Sequence, residues 1–340
     1  MPSWLLSCSH VGAPIARQIE PLTRAGPFLF FAGIIRRSAV LTVAVVLGTT
    51  AGRAQTAALP VTEIASGIFV HNGVHEEASE ANEDAIANIG FIIGDDAVAV
   101  VDPGGSFEEG SALRATIRIR TDRPIRYVIL THVHPDHIFG AAAFRDDRPD
   151  FVGHAKLPGA LAQRGDYYLR RLRSSLGDEA SGTEIVVPTV LVVDRLDLDL
   201  GHRRLTLRAH GPAHTDNDLT IFDQKTRTFW LADLLFVDRI PVIDGSLVGW
   251  LEQLDELTAI SADRAVPGHG PVSVLWPAAA EPERRYLAAV ARDTRSAIKA
   301  GIGIAHAYQH VANSERGNWL LFDEYHPRNV TASYKELEWE

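Results

Sequence analysis

Seven side chains of types that commonly bind metal ions occur in four short motifs of this 340-residue chain. They are five histidines and two aspartates: His132, His134, Asp136, His137, His214, Asp233 and His269. Imidazole and carboxylate ligands together suit zinc, and also iron or manganese. No single motif is decisive, but the seven side chains together are of the types and number found in a two-metal hydrolytic site.

The motif THVHPDHIFG holds four of these candidates. It follows the apolar run Arg126 to Leu130, which predicts a buried strand. Side chains alternate along an extended chain, so His132 and His134 face the same way, with Cβ atoms about 7 Å apart. Pro135 has no N–H and stops the strand. The chain must then turn, which brings Asp136–His137 round as a second pair of ligands.

The other three candidates lie at or near predicted strand ends. His214 lies between the alternating segments LTLRAH and DLTIF, so we place it in a tight connection between two strands. Asp233 ends the strand-like run TFWLAD, where a carboxylate is costly to bury without a metal or a hydrogen-bond donor. His269 lies in a Pro-Gly-His-Gly loop, whose glycines permit close approach of the backbone.

The elements that must position these residues alternate between strands and helices. The first strands are predicted over Ile64–Val70 and Phe91–Val101, then a helix over 107–121 and a strand over 125–130. A long amphipathic helix is predicted over Leu157–Leu176. Four runs divided by turn residues predict a second sheet: LVVDRLDLDL, RRLTLRAH, DLTIFDQ and TFWLADLLF.

Other features are expected to stay outside the metal site. His71 and His75 lie in a polar, acidic segment that we expect to cover the site as a lid, and neither is expected to be a ligand. A helix is predicted from Glu281 onward, and a second, short helix over Ile302–Asn313.

In order and spacing, the HxHxDH motif, the later histidine, the later aspartate and the last histidine in a GHG loop resemble the metallo-β-lactamase-fold hydrolases. The resemblance covers roughly residues 60 to 275. It implies an α/β fold of the α+β kind, a four-layer αββα sandwich, here with a C-terminal helical extension. It also implies two zinc ions at one edge of the sheets.

The resemblance further implies a role for each motif residue. The first metal would be held by His132, His134 and His214. The second would be held by Asp136, His137 and His269. Asp233 would bridge the two ions, and Asp102, which ends the strand AVAVV, would orient ligand histidines. A hydroxide shared by the two metals would be the nucleophile, with Asp136 as the catalytic residue that positions it.

A narrower resemblance covers nearly all of the chain after its N-terminal segment. The stretches VGHAKLP, AHTDNDLT, ADLLFVDRIPVIDGSLVGWL and LFDEYHPRNVTASYKELEWE are similar to those of the quinoprotein relay system zinc metallohydrolases, which are related to metallo-hydrolases of sulfur-oxidation clusters. This resemblance implies a periplasmic pyrroloquinoline-quinone dehydrogenase or a c-type cytochrome as a partner.

Composition limits the possible partners. The chain is 46% hydrophobic, with mean hydropathy near zero, as in an ordinary globular protein. The formal net charge is −10, but residues 1–54 carry five arginines and one glutamate, which leaves −14 for the rest. Such an acidic body argues against nucleic-acid binding and against anionic membranes. The partner expected at the metal site is a small-molecule substrate.

The N-terminal segment 1–54 has the pattern of a targeting signal. The basic pair Arg36 and Arg37 precedes the apolar run SAVLTVAVVLGTT, and the small-x-small triplet Gly52–Ala54 follows it. We therefore expect cleavage near Ala54/Gln55 and a periplasmic protein without a stable membrane span. The catalytic domain is expected over 58–275 and a helical extension with a tail over 276–340.

The bond that is cleaved stays open at this stage. An ester, thioester, lactone or lactam-type bond is expected, and the segment after Asp233 is expected to line the pocket. Its candidate substrate contacts are Arg239, Asp244, Ser246 and Trp250. Arg239 would pair either with an anionic substrate or, in a structural salt bridge, with Asp238 or Asp244.

Two other classes of protein have the same motifs. One is an oxidoreductase with mononuclear iron on the same scaffold, as in the persulfide dioxygenases. The other is a non-catalytic accessory module that docks to a quinoprotein or cytochrome through the C-terminal LFDEYHPRNVTASYKELEWE. Metal content distinguishes a two-zinc hydrolase from a one-iron dioxygenase and from a metal-free module.

Overall fold

Two β-sheets pack face to face in this protein. The computed structural model describes residues 57–340, so the targeting segment predicted over 1–54 lies outside the described residues. The first sheet has seven strands, which follow one another in space in the order of the chain. They are β1 (Thr62–Ala65), β2 (Ile68–His71), β3 (Ile89–Ile93), β4 (Val98–Val101), β5 (Ile125–Leu130), β6 (Asp150–His154) and β7 (Val190–Val192).

The second sheet has five strands in the order β12-β11-β10-β9-β8. Its strands are antiparallel, except that β11 and β12 run parallel. They are β8 (Arg195–Asp199), β9 (Arg204–Ala209), β10 (Leu219–Asp223), β11 (Thr228–Phe236) and β12 (Arg264–His269). All nine residues of β11 are buried, as expected for a strand covered on both faces.

Helices cover the outer faces of both sheets. They are α1 (Phe107–Arg120), α2 (Pro135–Ile138), α3 (Leu157–Leu176), α4 (Leu247–Thr258), α5 (Glu281–Lys299), α6 (Ile304–Ala307) and α7 (Phe322–Leu337). The start of α1 follows directly from its sequence, because the side chain of Ser106 accepts a hydrogen bond from the backbone N–H of Glu109.

Three hydrophobic clusters separate the layers. Between the sheets, residues such as Ile129 of β5 and Trp230 of β11 are buried together. Outside the first sheet, Leu113 of α1 belongs to a second cluster with strand residues. The third cluster joins the second sheet to α4, α5 and α7, and includes Trp250 and Val330. The layers therefore run helix, sheet, sheet, helix, which confirms the predicted αββα sandwich with a C-terminal helical region.

Several predicted elements are divided or placed differently. The strand predicted over Ile64–Val70 is a hairpin that turns at Gly67, where φ is +70°. The strand predicted over Phe91–Val101 is also two antiparallel strands. The prediction that the run LVVDRLDLDL lies wholly in the second sheet is wrong, because its first part forms β7, which pairs with β6 in the first sheet.

The C-terminal region 276–340 packs on the second sheet through the cluster that contains Trp250 and Val330. The short helix predicted over Ile302–Asn313 is wrong beyond one turn, α6, because the chain leaves helical geometry after Ala307. The segment treated as a tail instead forms the 16-residue helix α7. In residues 57–340, no helix is both long enough and apolar enough to cross a membrane.

Candidate metal centre

The seven predicted donors meet at one edge of the two sheets. His132 and His134 follow β5, and Pro135 starts the one-turn helix α2, which carries the next two donors. The other three come from the β9–β10 connection, from β11 and from the last residue of β12. Their ligand atoms form two groups, and within each group the atoms lie within 4.8 Å of one another: His132, His134, His214 and Asp233; and Asp136, His137 and His269.

Asp233 lies between the two groups. Its Oδ1 is 3.0 Å from Nε2 of His137, and its Oδ2 is 3.3 Å from Nε2 of His214 and 3.4 Å from Nε2 of His269. The strand carrying it is irregular: Ala232 has a φ of +46°, and the register against β12 shifts there. This irregularity is what turns the Asp233 side chain toward the sheet edge.

The chain approaches Asp233 so closely at Gly268 that no other residue fits there. A Cβ atom on Gly268 would lie 1.9 Å from Oδ1 of Asp233 and 2.9 Å from its backbone nitrogen. The glycine in the sequence Pro-Gly-His-Gly is therefore explained by the carboxylate beside it.

In the first group, the imidazoles of His214 and His134 are each oriented by a contact with a protein oxygen. The Nδ1 of His214 is 2.7 Å from the carbonyl oxygen of Val242, and the Nε2 of His134 is 3.1 Å from Oδ2 of Asp244. The remaining nitrogens, Nε2 of His214 and Nδ1 of His134, face each other at 2.8 Å. A metal-bound histidine characteristically donates its other ring N–H to a carboxylate or carbonyl oxygen.

The second group has the same arrangement. The Nδ1 of His137 is 2.8 Å from Oδ2 of Asp102, and the Nδ1 of His269 is 2.8 Å from the carbonyl oxygen of Ile86. Asp102 is fully buried and has a φ of +53°, a conformation that an aspartate adopts only at some cost. It also accepts hydrogen bonds from the backbone N–H and the hydroxyl of Thr131.

The inward-facing atoms fit a metal centre. Within residues 57–340, the buried Nε2 atoms of His132 and His137 and the buried Oδ1 of Asp233 have no hydrogen-bond partner. A buried polar atom without a partner is costly. A donor set of imidazole nitrogens and carboxylate oxygens would satisfy all three atoms by binding divalent cations.

The protonation states also suit metal binding. Burial lowers the pKa of His132 well below its usual value, and lowers that of His214 to about 3. Burial by itself would raise the pKa of Asp136 and Asp233, but neighbouring imidazoles, chiefly His137, hold both pKa values below their usual range. Neutral imidazoles beside ionised carboxylates are the forms that bind metals. Two rings of the cluster differ: although burial opposes it, neighbouring carboxylates raise the pKa of His137 well above its usual value and also raise the pKa of His134, so an entering metal ion would displace protons from these two rings.

A cleft of about 640 Å³ opens over this cluster. Arg239 and Asp244 line it, as predicted for the segment after Asp233. The other two residues predicted to line it require correction. Trp250 is fully buried, with its ring centre 5.4 Å from that of His214, so it packs against the imidazole of this candidate ligand. Ser246 caps α4, where its Oγ accepts a hydrogen bond from the N–H of Gly249.

Much of the cleft wall comes from elements that the sequence did not point to. From α7 come Tyr325, Pro327, Arg328, Thr331, Ala332 and Lys335. From α3 come Tyr168, Arg171, Leu172 and Ser175. The segment predicted as a lid adds Glu77, Ala78, Asp84 and Ile86, whereas His71 and His75 belong to neither donor group.

Helix α7 also anchors the segment that holds the histidines. The side chain of Asn329 accepts from the N–H of Ile243 at 3.0 Å and donates to the carbonyl oxygen of Pro241 at 2.7 Å. These two residues flank Val242, which is the acceptor for His214. At the far end of the helix, Glu336 accepts hydrogen bonds from the first backbone N–H groups of α4.

The four-layer fold and the histidine–aspartate cluster at the sheet edge define a protein with a candidate site for divalent metal ions. Residues 83–269, more than half of the chain, match the model of the Metallo-beta-lactamase superfamily. The chain belongs to this superfamily.

Named relatives in sequence are few and distant. The chain is 26% identical over 235 residues to a linear primary-alkylsulfatase from Pseudomonas sp., a match covering 58% of this chain and 43% of the relative. It therefore spans less than half of the alkylsulfatase's length. It is also 23% identical over 256 residues to the 2,4-dinitroanisole O-demethylase subunit alpha of Nocardioides sp., covering 70% and 71% of the two chains.

Solved structures share the fold at low sequence identity. A metallo-beta-lactamase from Pontibacter korlensis is 17% identical with a TM-score of 0.56, and the match covers 68% of this chain and 99% of the other. A stereoselective inverting sec-alkylsulfatase from Pseudomonas sp. is 16% identical with a TM-score of 0.63, covering 82% and 50%.

Proposed function

We propose that this protein is a binuclear zinc hydrolase that cleaves an ester, thioester, lactone or lactam-type bond. The position of Asp233 carries the proposal, because its two oxygens contact imidazoles of both donor groups, 3.0 Å from His137 and 3.3 Å from His214. Two metal ions bound by these groups would supply Lewis acidity and activate water at neutral pH.

Asp136 is the residue best placed to handle the proton of the attacking water. Its side chain is 13% exposed and lines the cleft, whereas that of Asp233 is only 3% exposed. Its lowered pKa keeps the carboxylate ionised, although burial opposes this. An ionised carboxylate at the cleft floor accepts a hydrogen bond from water and orients it for attack.

The experiment combines metal analysis with a panel of substrates. Protein purified without added metal is analysed for zinc and iron, then tested on an activated thioester, a lactone, a chromogenic cephalosporin and, given the alkylsulfatase relatives, an alkyl sulfate ester. The proposal predicts zinc-dependent hydrolysis of at least one ester-type substrate, with only weak turnover of the cephalosporin. The matched control is His306→Ala, an exposed histidine of α6.

Different outcomes lead to different assignments. One iron per chain, together with oxygen consumption in the presence of glutathione persulfide, would assign the protein to the dioxygenases. Loaded zinc without hydrolysis of any member of the panel would favour a non-catalytic module.

We further propose that the protein is exported and works beside a periplasmic quinoprotein dehydrogenase or c-type cytochrome. Residues 36–54 and the C-terminal sequence resemblance support this context. Intact mass spectrometry of protein from the periplasm should show a chain beginning near Gln55. A cytoplasmic protein that retains residues 1–54 would contradict the proposed export. Unchanged quinoprotein activity after deletion of the gene would contradict the proposed partnership.

A further inference from the structure

Two cationic side chains meet around one aromatic ring in the wall of the cleft. The guanidinium carbons of Arg239 and Arg328 lie 5.3 Å and 5.5 Å from the ring centre of Tyr325. The pairing joins two distant parts of the chain, because Arg239 follows β11 and Arg328 belongs to α7. All three residues line the cleft above the metal donors.

Arg239 is buried, at 3% exposure, and is short of acceptors. Its Nη2 donates to the hydroxyl of Tyr325 at 3.0 Å, but its buried Nε has no partner within residues 57–340. Its Nη1 is 3.4 Å from Nδ1 of His269, a nitrogen whose hydrogen is directed at the carbonyl oxygen of Ile86. Two donors face each other there, so that contact leaves the Nη1 hydrogens free as well.

No carboxylate neutralises this arginine at close range. In the described part of the chain, none lies within 4.0 Å of its nitrogens, so the structural salt bridge considered for Asp238 or Asp244 is absent. Asp244 is paired with Arg164 and His134 instead. Two acidic groups act on this part of the cleft: the buried carboxyl of Asp84 interacts with Arg239, and the Glu77 carboxylate interacts with the hydroxyl of Tyr325.

Tyr325 cannot supply the missing negative charge. Burial raises the pKa of its hydroxyl to about 12, so the ring stays neutral at pH 7. Burying a cation without a partner is costly, and a second cation against the same ring adds repulsion. An anion bound in the cleft beside the two guanidinium groups would offset this cost.

We infer that Arg239, Arg328 and Tyr325 form a binding site for an oxyanion on the substrate, so that the enzyme acts on organic anions whose scissile bond lies over the metal donors. This inference rests on the proposed hydrolase function and adds the substrate class to it. Exposed Arg171 of α3 and Lys335 of α7 also line the cleft and extend the positive field around its opening.

The test uses matched esters that differ only in charge. One is a chromogenic aryl ester with a free carboxylate at the end of its acyl chain, and the other is the same ester with that carboxylate methylated. For the zinc-loaded enzyme we expect kcat/KM to favour the anionic ester by about 10- to 100-fold, in line with charge-assisted hydrogen bonds. Versions with a sulfonate or phosphonate end show which oxyanion fits best.

Arg328→Gln should remove this preference mainly through a higher KM for the anionic ester, with little change for the neutral one. Arg328 is exposed, so the substitution does not threaten folding. Arg239→Gln should have the larger effect. Lys299→Gln, which removes an exposed cation of α5 outside the cleft, is the control and should keep the preference.

Equal kcat/KM for both esters, or a preference that survives in Arg328→Gln, would overturn the inference while leaving the hydrolase intact. If neither ester is hydrolysed, calorimetry decides with glutarate as the probe. Binding weakened in Arg328→Gln but unchanged in Lys299→Gln supports the anion site even though the hydrolase proposal has failed. Equal binding by both variants contradicts the site.

Discussion

The Nε2 atom of His214 faces the Nδ1 atom of His134 across 2.8 Å. Each ring already directs its other nitrogen at an acceptor, the carbonyl oxygen of Val242 and the carboxylate of Asp244. If both rings are neutral, the two facing atoms are lone pairs, and two lone pairs at this distance repel. A proton on one of the two nitrogens removes this repulsion, and a metal ion bound by both nitrogens would remove it as well.

Replacing one of these two histidines should prevent metal binding at the first donor group. In His214→Ala, we expect the zinc content to fall from two ions per chain to about one, and hydrolysis to be largely lost, because the first group keeps too few ligands. Elemental analysis of the purified variant measures this. His306→Ala, in which an exposed histidine is removed, should keep both ions. Full zinc content in His214→Ala would mean that this histidine is not a ligand.

The close contact at Gly268 gives a second prediction. In Gly268→Ala, the new methyl group would overlap Oδ1 of Asp233, so we expect loss of zinc and a lower melting temperature. Gly159→Ala is the matched control, because a Cβ at that helical position meets nothing within 4 Å. The control should keep its zinc and gain up to about 1 kcal/mol of stability. A zinc-replete Gly268→Ala would show that the carboxylate can move without consequence.

Asn329 should strengthen zinc binding although it is not itself a metal donor. In Asn329→Ala, the backbone around Val242 loses its anchor, and the orientation of His214 relaxes with it. We expect zinc to bind about 10- to 100-fold more weakly at the first group, as when other partners of metal ligands are removed. Chelator competition measures the dissociation constant. Glu338→Gln, an exposed position after α7, is the control, and equal affinities in both variants would contradict the positioning role.

The stability of the fold should fall in mild acid through a histidine outside the metal cluster. Burial lowers the pKa of His326 from 6.5 to about 4, so the unfolded chain binds a proton before the folded one does. The contribution of the neutral ring to the free energy of unfolding is fully present above pH 6.5 and is lost as the pH falls toward 4. At pH 5 the loss is on the order of 1 to 2 kcal/mol.

Urea unfolding at pH 7 and pH 5 measures this effect. His326→Gln removes the titrating group, so its unfolding free energy should fall less between the two pH values than that of the unchanged protein. An identical fall in both proteins would assign the acid sensitivity to other groups, among them His210, whose pKa burial also lowers to about 4.

The metal donors can be predicted from sequence because local rules decide their positions. The apolar strand before His132, the proline that ends it and the alternation of side chains place the HxHxDH donors together without any long-range information. The glycines of the Pro-Gly-His-Gly loop likewise permit a close approach of the backbone, and the structure shows that the group approached at Gly268 is the carboxylate of Asp233. The layers of the fold follow from the resemblance of these motifs, in this order, to those of the metallo-β-lactamase-fold hydrolases.

The cleft wall could not be predicted in the same way, because it depends on contacts between distant segments. Ser246 and Trp250 follow Asp233 closely in sequence, but α4 starts at that point and directs one side chain to its cap and the other into the core. Arg328 and Tyr325 reach the site because α7 packs on the second sheet, because Asn329 bonds the segment around Val242, and because Glu336 bonds the start of α4. No local pattern reports such a contact.

We propose that Asp233 would be shared by two zinc ions, and zinc titration of Asp233→Asn decides this. The unchanged protein should bind two zinc ions per chain. In the variant, both ions should bind more weakly and be lost together as a chelator is added, because the amide keeps the size of the side chain but not its charge. Selective loss of one ion, with the other retained at its original affinity, would contradict the shared position of Asp233.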